Sequence, residues 1–268
     1  MRVDPMTPLH QAVIDDDYAV LSDAAFVDEW RTVPDNLGFT ALEIAKFLGN
    51  YKAVNMLGSK LPDGFRLHPN GMKMPVELSL EGFEKSLGFL YRPFLTFTSY
   101  SWLKRVVHQC PYILRCRSIA SENYAWAQKF EAEISEGKTA PIYIKWIDST
   151  LGYGVFASED IAAGVFVGEY TGVVRRLYRK HPDQNPYCFH YPTKFWSLKT
   201  CTVDSMHEGN ITRFINHSNK PNLQPICAVD RGLLHLVFLA GGDIKAGQQL
   251  TFDYGEDYWM RRKQVAVR

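Results

Sequence analysis

Cysteine is scarce in this chain. Only Cys110, Cys116, Cys188, Cys201 and Cys227 occur among 268 residues, and no two of them form a C-x-x-C pair. The odd count and open spacing argue against a disulfide framework and against a zinc module. A reducing, intracellular setting follows. No apolar run approaches the roughly 20 residues of a bilayer span, so no membrane attachment is expected. The opening Met1-Arg2-Val3-Asp4-Pro5-Met6-Thr7-Pro8 has no apolar stretch of the kind a secretory leader carries. Excess charge is lacking too: 30 basic residues stand against 29 acidic ones, for a net +1. Such a chain does not coat nucleic acid by bulk charge. Hydrophobic residues make up 46% and charged residues 22%, ordinary globular usage that leaves no room for long disorder.

A short repeat opens the chain. Thr7-Pro8-Leu9-His10-Gln11-Ala12 returns, 33 residues later, as Thr40-Ala41-Leu42-Glu43-Ile44-Ala45. In each copy the threonine can cap a helix whose Leu and Ala then share one face. Gly38 suits a turn before the second copy, and Gly49-Asn50 closes it. The motif and its period resemble ankyrin repeats. Two repeats cannot easily bury a core alone, so residues 59–138 are expected to cap residues 1–58 as a helical region. Within them, 58–75 reads as loop. Phe83, Leu87 and Leu90 read as one helix face, and 121–136 as a helix ended by Gly137. The aromatics between Phe83 and Trp102 read as core.

From about residue 139 the texture changes to short β-branched or aromatic runs between Gly and Asn turns: 142–147, 154–157, 165–170, 235–239 and 249–252. Four segments stand out here. Gly152-Tyr153-Gly154 flanks an aromatic with two glycines, which let a backbone approach a ligand. Gly168-Glu169-Tyr170-Thr171-Gly172 ends a strand in a turn. Arg213-Phe214-Ile215-Asn216-His217-Ser218-Asn219-Lys220-Pro221-Asn222 is polar in an apolar frame. Phe252-Asp253-Tyr254-Gly255 puts two aromatics on one face of a strand end.

In this order the four resemble the SET domain of protein-lysine methyltransferases, over about residues 141–260. The resemblance implies an α+β chain: a mostly-β SET domain at 139–256, β-clip-like with a knot-like C-terminal closure, behind the ankyrin-like helices. It implies transfer of methyl groups from S-adenosyl-L-methionine to lysine in a protein, most simply a histone or histone-like protein. The implied catalytic residues are Tyr254, which aligns the amine, Tyr187 on the channel wall, and Phe252. The implied cofactor contacts are Gly152, Tyr153, Gly154, Asn216 and His217. Many family members carry zinc-binding cysteines around the domain. The tail 257–268 here has none, so no metal is expected and Trp259 or Tyr258 is left to cover the adenine. Phe rather than Tyr at 252 leaves room for further methyl groups and implies di- or trimethyl-lysine.

Under the same resemblance Arg213, Asp204, Glu169 and Asp253 are scaffold, and His217 is neither metal ligand nor general base. The basic run Arg175-Arg176-Leu177-Tyr178-Arg179-Lys180-His181 reads as a solvated face or as a wall meeting an acidic partner or DNA. Two other functions stay open: a binding protein whose ankyrin-like part docks a partner while the SET fold is secondary, and methylation of a non-histone protein. The pairing suits a bacterial or viral protein, placed in the cytoplasm or, for a pathogen effector, at host chromatin.

Overall fold

The computed structural model describes residues 6–72, 74–115, 120–178, 185–191, 199–256 and 258–259. Five short helices come first: α1 (Pro8–Ile14), α2 (Tyr18–Leu21), α3 (Ala24–Trp30), α4 (Ala41–Phe47) and α5 (Tyr51–Met56). Side chains cap them at matching positions. Thr7 and Thr40 accept from the third helical N–H of α1 and α4, and Asp17 and Asn50 do the same for α2 and α5. Both pairs are 33 positions apart. Thr40 and Glu43 form a reciprocal capping box. His10, fully buried, bridges the two copies by bonding Thr7 Oγ1 at 2.6 Å and the Phe39 carbonyl at 2.8 Å.

The next stretch departs from the sequence reading. Residues 59–138 are not wholly helical. Strands β1 (Phe65–His68) and β2 (Val76–Leu78) precede α6 (Leu80–Leu87), and β3 (Leu90–Tyr91) follows it before α7 (Tyr100–Arg115). Phe65 and Leu67 are buried on alternate positions of β1, a period-2 signal too short to separate from the surrounding Pro and Gly. Gly88, left-handed at φ 69°, ends α6, so Leu90 does not continue its face and is exposed. The helix expected over 121–136 is two, α8 (Ala120–Lys129) and α9 (Glu131–Glu136). They meet at buried Phe130, which stacks on Trp126 at 5.8 Å and packs against Phe166 at 5.4 Å.

Ten strands follow: β4 (Ile142–Asp148), β5 (Gly152–Ala157), β6 (Phe166–Glu169), β7 (Gly172–Tyr178), β8 (Cys188–Tyr191), β9 (Lys199–Gly209), β10 (Asn216–His217), β11 (Leu223–Asp230), β12 (Leu233–Ala240) and β13 (Thr251–Phe252). They form four small sheets, ordered β2-β1-β4-β5, β11-β12-β6, β10-β13, and β3-β9-β7 with β8 on the other side of β9. Strands β1 and β3, from the region expected to be a helical cap, thus belong to the sheets of the rear half. β1 lies parallel to β4, and β3 lies parallel to β9.

The halves do not keep separate cores. One buried cluster runs from Leu9 and Ile44 of the helices through Phe83 and Leu103 to Val203, Leu236 and Phe252. Polar ties reinforce the joint. The Phe97 N–H donates to the Phe47 carbonyl at 2.7 Å, and the Thr96 N–H donates to Gly172 at 2.9 Å. Arg231, at the turn between β11 and β12, reaches the Gly38 carbonyl at 2.7 Å and Glu43 at 2.6 Å. Glu43 therefore serves the capping box and the joint together. Among the described residues no helix is long and apolar enough to cross a membrane.

Candidate active site

The site is built where two short strands lie side by side. β10 and β13 are only two residues each, yet they pair in parallel, with Asn216 beside Thr251 and His217 beside Phe252. Two such short strands need outside support. Asn222 supplies it from six residues past Asn216: its Nδ2 donates to Gln249 O at 2.8 Å, and its Oδ1 accepts from Thr251 N at 2.9 Å. The 3-10 turn Ile211–Phe214 leads into β10, capped by Asn210. Asn210 also donates to the Glu169 carbonyl at 2.8 Å, which fixes the turn to the end of β6.

The glycine pair of β5 runs past the same point. Asn216 Nδ2 donates to Tyr153 O at 3.1 Å. Gly154 has no space for a side chain: a Cβ there would sit 2.7 Å from Ile147 Cδ1 and 2.8 Å from Gln249 Nε2. Gly152 differs, with φ +71° and open space beside it. The Tyr153 ring turns inward, edge-on to Trp146 at 5.1 Å and to Phe214 at 6.1 Å, so this residue offers its backbone rather than its ring.

Tyr254 is placed by three contacts. Its hydroxyl donates to Ile215 O at 2.9 Å, its N–H donates to His217 Nδ1 at 3.2 Å, and its ring lies 4.7 Å from Phe252. His217 Nε2 meets Asn219 Oδ1 at 3.1 Å, so both ring nitrogens are engaged. Phe252 is buried between Phe238 at 4.9 Å and Phe189 at 6.0 Å. Tyr258 and Trp259 close the cluster. Tyr258 lies edge-on to Tyr254 at 4.5 Å, and Trp259 lies 5.0 Å from His217. The buried indole Nε1 of Trp259 has no hydrogen-bond partner among the described residues.

Tyr187 sits differently. Its ring faces the Arg213 guanidinium at 4.0 Å, and its backbone carbonyl accepts from the Tyr170 hydroxyl at 2.8 Å. Burial pushes the Tyr170 phenol well above the ordinary tyrosine range, so it remains a neutral donor. Arg213 is itself enclosed by the rings of Phe89 at 4.6 Å and Phe214 at 4.8 Å. Arg175 and Asn185 both bind Asp204, at 2.5 and 2.7 Å. Asn185 in turn accepts from the Tyr187 N–H at 2.8 Å.

The structure thus gathers Gly152, Tyr153, Gly154, Asn216, His217, Phe252, Tyr254 and Trp259 around the β10–β13 pair. It joins Tyr187 to them through Tyr170. Sequence reasoning missed Phe189, Phe238 and Asn222. Phe189 is the second aromatic of Tyr187-Cys188-Phe189, a Y-x-F spacing from which only Tyr187 was taken as a site residue. Phe238 stands in an apolar run with nothing to mark it. Among the described residues no group of three or more His, Cys, Asp or Glu side chains could hold a metal ion. Arg179, Lys180 and His181 of the basic run lie outside the described residues.

Residues 152–255 match the family model described as SET domain. The chain is 30% identical over 154 residues to the histone-lysine N-methyltransferase EHMT1 of Mus musculus, an overlap of 56% of this chain and 11% of that protein. It is 29% identical over 164 residues to the N-lysine methyltransferase KMT5A-A of Danio rerio, covering 57% of this chain and 46% of the fish protein. A solved structure of KRYPTONITE with mCHH DNA, an H3(1-15) peptide and SAH is 36% identical over 42% of this chain and 23% of that one, with a TM-score of 0.36. The chain thus spans about a tenth of the mouse relative and just under half of the fish one.

Proposed function

We propose that this chain methylates lysine side chains of a protein substrate, drawing the methyl group from S-adenosyl-L-methionine. The observation that carries the reading is the seating of Tyr254. Its hydroxyl is fixed to Ile215 O at the meeting point of two motif segments that also match the SET domain. Relatives named as lysine methyltransferases support the reaction class.

The residues present fit the cofactor. Gly152 offers open space at a left-handed turn, and Trp259, beside His217, holds a buried indole N–H with no acceptor among the described residues. Gly152, Tyr153, Gly154, Asn216, His217 and Trp259 would hold the group. Bound there, it supplies an electrophilic methyl on a sulfonium. The chain supplies the rest. Phe189, Phe238 and Phe252 make an apolar wall that strips water from an entering ammonium. Desolvation lowers its pKa from about 10.4 toward the neutral amine that can attack. Tyr254 Oη orients that amine. Holding two reactants at attack distance is the main source of rate for such a transfer.

Calorimetry tests the cofactor half directly. Wild-type protein is expected to bind S-adenosyl-L-methionine, and Asn216→Ala to bind it at least about tenfold more weakly. The loss follows from freeing the Tyr153 carbonyl and one wall of the cradle. No binding by the wild type would sink the enzyme reading and leave the binding-protein reading.

The product inference rests on Phe252. It packs against Phe238 and Phe189 with no hydroxyl to hold a water in the methyl-accepting space. Di- or trimethyl-lysine is therefore the proposed end product, and Phe252→Tyr is expected to shift product toward monomethyl-lysine. Mass spectrometry of long incubations decides: monomethyl product alone from the unmodified enzyme contradicts the inference.

The substrate proposed is a histone or another basic protein, supported by the printed names of the relatives. The capped helix pairs at the front form a surface suited to a protein partner, in keeping with the ankyrin-like motif. An intracellular site of action, cytoplasmic or at chromatin, is proposed on the same grounds.

A further inference from the structure

Away from the Tyr254 cluster, a cavity of about 330 Å³ opens between α7 and β7. Its walls hold Thr98, Ser101, Trp102, Arg105, Arg175 and Arg176, and none of its lining residues is a carboxylate. Arg175 is engaged by Asp204 at 2.5 Å. Arg176 lies over the Trp102 ring at 5.0 Å, and the indole N–H is taken by Val174 O at 2.6 Å. Neither Arg105 nor Arg176 has a carboxylate partner among the described residues. Ser101 and Arg105 are one turn apart on α7, and Lys104 and His108 are exposed on the same helix.

We propose that this groove binds the phosphodiester backbone of a nucleic acid. Two guanidiniums with no carboxylate partner among the described residues, and flanking hydroxyls, are the donor set that phosphate oxygens accept from, and arginine's planar fork meets them two bonds at a time. Size separates the ligand from a lone ion. The groove, at about 330 Å³, has room for more than one phosphate group. The exposed Lys104 extends the cationic face along α7, which suits a polyanion better than one isolated phosphate. Trp102, clamped from two sides, gives the groove a rigid aromatic wall.

The position also matters. In β7-β9-β8, Val174 pairs with Val203, which pairs with Phe189. Two strand spacings separate the groove from the Phe189 wall, about 10 Å. A substrate protein bound to the same nucleic acid would therefore reach the Tyr254 cluster directly. The binding itself does not rest on the methyltransferase reading.

The test is fluorescence anisotropy of the full chain with a labelled 20-base-pair DNA duplex, titrated against salt. Wild-type protein is expected to bind. The Arg105→Ala/Arg176→Ala pair should bind at least about tenfold more weakly at low salt. Its log–log salt slope should be smaller by about 2, since each lost phosphate contact contributes about 0.9. The Arg105→Lys/Arg176→Lys pair should keep most of the slope. Methylation of a short peptide should be unchanged in the alanine pair, which shows that the fold is intact. Absence of duplex binding by the wild type, or equal binding by the alanine pair, overturns the proposal. So does an arginine-dependent preference for a phosphoserine peptide, or occupancy by inorganic phosphate alone. The binding readout needs no methyl transfer, so an inactive enzyme does not obscure it.

Discussion

Tyr254→Phe is expected to lower the methylation rate at least about 100-fold while leaving the protein folded. The substitution removes one oxygen and no ring contact. Phe252 at 4.7 Å, Tyr258 at 4.5 Å and Trp259 at 6.1 Å keep their aromatic neighbour. The stability cost is one hydrogen bond, to Ile215 O, worth about 0.5–1.5 kcal/mol net. In a chain of this size that is a fall in Tm of a few degrees. The rate cost is far larger because the hydroxyl is fixed at the end of the aromatic wall, where it would set the direction of the attacking amine. A misplacement of about 1 Å in such a transfer can cost about 100-fold. Single-turnover methylation of a lysine peptide, with cofactor binding measured alongside, separates the effects. Cofactor affinity should hold while turnover collapses. Turnover within a few-fold of wild type would remove Tyr254 from the reaction.

The sequence made parts of this arrangement readable and hid others, for physical reasons. The glycine turn, Asn216, His217 and Tyr254 were singled out through the order of four segments that resembles the SET pattern, since each segment alone reads as an ordinary turn or strand end. The threonine caps of α1 and α4 were legible because a cap is a local interaction, decided within four residues. What stayed hidden was the partnering. β9 spans Lys199–Gly209 and reads as mixed polar sequence, yet it is the strand on which β3, β7 and β8 all pair. Its identity depends on neighbours remote in sequence, not on its own pattern. Phe189 and Phe238 likewise become site residues only once Phe252 is placed between them. The shared core was hidden for the same reason. Arg231 gives no sign in the sequence that it will reach back 188 positions to Glu43.

The Glu169–His235 pair carries the second large expected effect. Sequence reasoning took Glu169 as scaffold, and the structure gives that role a mechanism. Its Oε1 lies 2.8 Å from His235 Nδ1, and both side chains are about 95% buried, at 4% and 5% exposure. They line a cavity of about 300 Å³ shared with Lys46 of α4 and Ser135 of α9, where the front helices meet the rear sheets. Burial alone would depress the imidazole's pKa. The charge and hydrogen bond of Glu169 outweigh it, with Asp230 assisting and Arg231 opposing, so the pKa is raised above the ordinary histidine value. A raised folded pKa makes a stabilising contribution that is fully present below the unfolded value of about 6.5. That contribution fades as pH rises through the folded value. Glu169→Ala leaves a buried imidazole without its partner, a change that costs about 3–5 kcal/mol in other buried pairs. At about 2–4 °C per kcal/mol, Tm should fall by roughly 6–20 °C. The sign of the pH dependence should also reverse. Without the carboxylate, burial dominates, His235 resists protonation, and the variant should lose stability as pH drops below about 6.5. Because Tyr170 follows Glu169 and holds the Tyr187 carbonyl, peptide KM should rise with the loss, whereas cofactor affinity should change less. Chemical denaturation at a series of pH values reads both effects. A variant with wild-type stability and an unchanged pH slope would show that the pair does not stabilise the β6–β12 sheet where it meets the front helices.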